Sequence, residues 1–75
     1  MSPRLPSLRP AAVIRALERD GWVVIRQRGS HVSLTKEGVE HVIVVPTHRR
    51  EMPRGTLADI IKDAGLTQDE FRRLL

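Results

Sequence analysis

The chain has 75 residues and 40% hydrophobic content, enough for one compact domain over 1–75 with a marginal core. With no cysteine, disulfides and thiolate zinc sites are excluded, and no apolar run approaches a membrane span or a signal-peptide core, so the cytoplasm is expected and a membrane partner is not. Thirteen Lys and Arg, eleven of them Arg, against nine Asp and Glu give a net charge of +4 that favours anionic partners, while Trp22 and Phe71 are too few aromatics for a base-stacking platform.

Residues 1–7 are proline-rich and read as a lead-in rather than an element. From about Arg9 to Asp20 the apolar spacing is helical, with Val13, Ile14 and Leu17 on one face. Pro10 marks the first turn and Gly21 the stop. Trp22 to Gln27 is rich in Val, Ile and Trp and reads as a strand. Arg28-Gly29-Ser30 makes a turn, and His31 to Lys36 alternates as a second strand. After the turn Lys36-Glu37-Gly38-Val39, a third strand is expected over Glu40 to Val45, ended by Pro46.

Thr47 to Gly55 is a polar, basic loop. Thr56 then opens a helix to Ala64 with the stripe Leu57, Ile60, Ile61 and Ala64, closed by Gly65. Thr67 and Glu70 form a capping-box pattern before a short last helix carrying Phe71, Leu74 and Leu75. The expected fold is therefore α+β: a helix, a three-stranded antiparallel sheet, a helix and a short C-terminal helix.

One sheet face must be buried under the helices. Val32 and Leu34 belong to that face, so His31, Ser33 and Thr35 should point to the open one. A one-residue slip would reverse this. Histidine exchanges protons near neutral pH, and arginine offers a forked donor suited to phosphate. The run Arg26-Gln27-Arg28-Gly29-Ser30-His31 thus sets a proton carrier among phosphate binders, the minimum equipment for metal-free RNA cleavage.

Arg26, Arg28, Lys36 and Arg54 are candidate phosphate ligands, and Gly29 lets backbone approach one. Most arginines of a small domain are merely solvated, and Arg28 is the best single candidate because it adjoins the turn before His31. Ser30 and His48 complete the expected RNA contacts, and Arg49 and Arg50 add general attraction. Ser30 is not a nucleophile, because neighbours on a strand point to opposite faces. His48 is the second proton-transfer candidate or else a plain loop residue, and His41, mid-strand among valines, reads as a surface residue. Gly55-Thr56 either greets an anion at a helix start or simply caps it. No acidic pair is placed for a metal, and no metal or other cofactor is expected.

Helix, three strands, helix is also the order of the double-stranded-RNA-binding domain. Within that shape the chain resembles the HicA toxin family of bacterial type II toxin–antitoxin systems. The resemblance rests on 13–22, on Arg26-Gln27-Arg28-Gly29-Ser30-His31, on Val45-Pro46-Thr47-His48, on Pro53-Arg54-Gly55-Thr56-Leu57 and on 64–71. Gly-Ser-His alone would be weak, but the ordered set at family spacing is strong. Trp22 stands where phenylalanine is commoner, and the loop 47–52 is more arginine-rich than in many relatives.

The resemblance implies a toxin that cleaves messenger RNA, with His31 as the essential histidine, and a HicB-type antitoxin that covers the active surface. It leaves open a homodimer or a heterotetramer with antitoxin. Two readings compete with it. One is a non-catalytic RNA-binding module of the same fold, and the other is an interaction protein whose basic face meets an acidic partner. Loss of His31 separates catalysis from both, and salt dependence separates RNA from an acidic protein.

Overall fold

A computed structural model describes residues 5–75. In chain order it contains α1 (Pro10–Arg19), β1 (Val23–Arg28), β2 (His31–Thr35), β3 (Ile43–Pro46), α2 (Arg54–Asp63) and α3 (Gln68–Arg73). The strands form one antiparallel sheet with β2 in the centre. Val13, Ala16 and Leu17 of α1 and Leu57, Ile60 and Ile61 of α2 share a core with Val32, Leu34, Ile43 and Val45 of the sheet. The expected α+β layout is the observed one. No helix among the described residues is long and apolar enough to cross a membrane.

Local chemistry sets the element ends. Pro10 begins α1, where its missing N–H is no loss. At the other end the Trp22 N–H reaches the Leu17 carbonyl and the Gly21 N–H reaches Glu18, each at 3.0 Å. This two-bond closure needs a left-handed residue, and Gly21 supplies it with φ +100°. Trp22 therefore belongs to the helix stop, and β1 begins one residue later than its composition suggests.

Other boundaries differ from expectation, three of them with a clear local cause. The third strand starts at Ile43, not Glu40, because His41 leaves the sheet: its Nε2–H donates to the Asp63 carbonyl at 2.6 Å. Its ring lies 6.0 Å from that of buried Trp22. Pro46 joins the strand as its last residue, tolerated because β3 is an edge. The helix α2 starts at Arg54 with Pro53 as its cap, so Thr56 sits inside the first turn and caps nothing.

The lead-in is more than a tail, although its residues 1–4 lie outside the described ones. Leu5 is buried in the core and its carbonyl accepts from Arg54 Nε at 3.2 Å. The Ser7 hydroxyl donates to Glu51, and the Met52 N–H donates to the Leu8 carbonyl at 2.8 Å. These bonds fasten the loop between β3 and α2 to the start of the chain, and Met52 is buried beneath it.

Candidate functional site

The β1–β2 hairpin is the local unit that positions His31. Arg28 and His31 are Cα partners, so Gly29 and Ser30 form a two-residue turn. Gly29 has φ +53° while Ser30 stays at negative φ, the pattern of a turn that matches strand twist with glycine first. No side chain at another residue type would take that first position without strain.

Register then decides what surrounds the histidine. Opposed residues in an antiparallel pair lie about 4.5–5.5 Å apart at Cα and share a face. His31 stands between Arg28 on β1 and Pro46 on β3. The next row on the same face is Arg26, Ser33 and Val44. Val32 and Leu34 are buried and His31 is exposed, so the alternation places the histidine on the open face as expected.

A bulge after Val24 makes the Arg26 row possible. Val24 opposes Leu34 and Arg26 opposes Ser33, so Ile25 is an extra residue. Without it, strict alternation from Val24 would send Arg26 toward the helices. Nothing in the run Val23-Val24-Ile25 marks the bulge.

The remaining expected residues divide into near and far. The Thr47 N–H donates to the Ser30 carbonyl at 2.7 Å, which ties the loop bearing His48, Arg49 and Arg50 to the hairpin turn. Arg54 opens α2 at the far side of that loop. Lys36 stands apart: it follows the other end of β2, roughly 17 Å from His31 at strand rise. Its Nζ is paired to Asp20 at 3.1 Å. Among the described residues, the side chains of His31, Arg26, Arg28, Arg49 and Arg50 have no hydrogen-bond or carboxylate partner, whereas that of Lys36 does.

Two concavities open at this end of the molecule, and sequence reasoning missed both. One, of about 230 Å³, is lined by Pro10, Pro46, His48, Arg49, Met52, Pro53 and Thr56. The other is a wider groove of about 570 Å³ whose lining includes Arg9, Ile14, Gln27, Val32 and Arg50, so it lies on the helix side of the sheet, across from His31. Met52, a lone apolar residue in a polar loop, was the only signal for them in the sequence.

The same end of the molecule gathers both long helix starts. Pro10 of α1 and Thr56 of α2 line one cavity with Pro46, the neighbour of His31. Their C-terminal ends lie at the opposite pole, where Asp20 meets Lys36 and Asp63 meets His41. Both helix dipoles thus present their positive ends toward the histidine pole. Glu37 and Glu40, between β2 and β3, belong to the other pole.

The site therefore offers one exposed imidazole beside unpaired guanidinium groups at the positive ends of two helices. That arrangement can bind a phosphodiester and move a proton beside it. A family model described as the HicA toxin of bacterial toxin–antitoxin systems matches residues 11–66. No curated protein matches the chain.

Proposed function

Because the chain belongs to the HicA toxin family of bacterial toxin–antitoxin systems, we propose that it is a metal-independent endoribonuclease acting on messenger RNA through His31. The observation that carries this reading is the exposed, unpartnered His31 in register with Arg28. His31 takes the proton from a ribose 2′-hydroxyl, whose oxygen attacks the adjacent phosphorus. The bond to the 5′-oxygen breaks and that oxygen takes a proton, leaving a cyclic phosphate and a free 5′-hydroxyl. Arg28 and Arg26 hold the phosphate oxygens as charge builds. His48, on the loop tied to Ser30, is the candidate for the second proton.

The toxin has an antitoxin partner, and we assign it the open sheet face. Val23, Val42 and Val44 are 59%, 47% and 48% exposed, and Val23 and Val44 lie in the rows that continue from His31. An acidic protein with an apolar centre, of the HicB type, would cover valines and arginines together. RNA has no use for the valines.

The test is RNA cleavage by purified protein in EDTA, wild type against His31→Ala, with folding and RNA binding checked for both. The expected result is a loss of at least about 100-fold in the variant, with cyclic phosphate ends in the wild-type product. Equal cleavage by both proteins would overturn the role of His31. Binding without cleavage by either would leave a non-catalytic RNA-binding module.

A further inference from the structure

We propose that the cavity between Pro46 and α2 is a nucleobase subsite, holding the base next to the bond that is cut. The inference rests on the RNA-cleaving reading above and deepens it.

The cavity adjoins the proton carrier, since its wall Pro46 is the Cα partner of His31. A chain whose phosphate lies over His31 and Arg28 has its neighbouring base within reach of that wall. At about 230 Å³ the space falls below the roughly 300–1,000 Å³ of sites for larger ligands, which suits one heterocycle. Its chemistry is mixed in the way a base requires. Pro10, Pro46, Met52 and Pro53 are apolar, with Pro10 and Met52 buried. The Thr56 hydroxyl offers a hydrogen bond to a base edge. His48 and Arg49 are exposed at the rim, and both carry planar groups on which an unpaired base stacks.

This solves a difficulty posed by composition. The two aromatics, Trp22 and Phe71, are buried in the core, so neither stacks on RNA. The apolar cavity with its planar rim does the work that surface aromatics do elsewhere. A phosphate-only site would have no use for buried Met52 and three prolines.

The test titrates the full chain with the four nucleoside 5′-monophosphates and, as a probe without a base, ribose 5-phosphate. Amide and methyl resonances of Met52 and Thr56 are followed by NMR. Nucleotides are expected to shift them saturably, in an order set by the base, and ribose 5-phosphate to leave them in place. Thr56→Leu, which fills the cavity, and His48→Ala, an exposed loop change, should each weaken binding about tenfold, the scale of a misfitted apolar pocket. Equal shifts with ribose 5-phosphate, or none with any nucleotide, overturn the subsite.

Cleavage of short RNAs differing only beside the cut separates the two proposals. A chain that binds nucleotides in the cavity but cleaves no RNA keeps the subsite and overturns the nuclease. A chain that cleaves through His31 with a base preference unchanged in Thr56→Leu overturns the subsite and keeps the nuclease.

Discussion

Arg28 and Lys36 flank the same strand and carry the same charge, yet only Lys36 has a carboxylate partner among the two. The Lys36–Asp20 pair is partly exposed, so Lys36→Ala should cost at most about 1 kcal/mol in urea unfolding and leave RNA affinity unchanged. Arg28→Ala should do the reverse, weakening RNA binding about tenfold at matched salt with no change in unfolding midpoint, as loss of a charged hydrogen bond predicts. Trp22 makes a different case. Its indole Nε1 is buried without a hydrogen-bond partner. Trp22→Phe removes that orphan donor along with some packing, so its net cost is expected within about 1 kcal/mol, whereas Trp22→Ala should cost about 3–5 kcal/mol. The facing of His31 was legible because alternation is local: Val32 and Leu34 decide it. The partner of Lys36 was not, because Asp20 lies on another element and sequence spacing carries no sign of their contact.

At the level of elements, α3 is the one whose start was written most plainly. The Thr67 hydroxyl accepts from the Glu70 N–H at 3.1 Å, and the Glu70 carboxylate accepts from the Thr67 N–H at 2.8 Å. That backbone bond, then the Thr67 side chain, holds the Glu70 carboxyl below the usual glutamate range, with Arg73 adding to it. A carboxyl depressed by folding stabilises the folded chain above its ordinary range, and that share disappears as pH falls through the folded value. The Glu70→Gln variant should therefore lack this share of the wild type's acid-side loss of stability, and the gap between the two should close only as pH falls through the lowered folded value, below the usual glutamate range, in thermal melts. Thr67→Ala should cost about 1 kcal/mol at neutral pH. The helix matters because Phe71 on it is fully buried. β3 and α2 were legible in kind but not in bounds. Valines announce a strand, but His41 is drawn away by a carbonyl on another helix. Thr56 looks like a cap, yet Pro53 already turns the chain. The bulge at Ile25 had no mark at all, since it is the pairing with β2 that creates it.

Across the whole molecule, the candidate phosphate ligands other than Lys36 collect at one end. Arg26, Arg28, Arg49, Arg50 and Arg54 gather at the histidine end, where Glu51 is already engaged by Ser7. On the proposed reading, contact with RNA is confined to one end and involves few phosphates. The slope of log affinity against log salt should be shallow, about −2 to −4 for three to five contacts on a single strand, measured with His31→Ala to prevent cleavage. A slope near −7 would require the far pole to bind as well. The alignment of the two long helices has a further consequence, in time rather than in affinity. A body whose unpaired arginines and helix N-termini share one end is turned by a polyanion's field before the surfaces meet. Fewer collisions are spent on the wrong face, so capture of a passing strand is fast at low ionic strength and slows as salt shortens the reach of that torque.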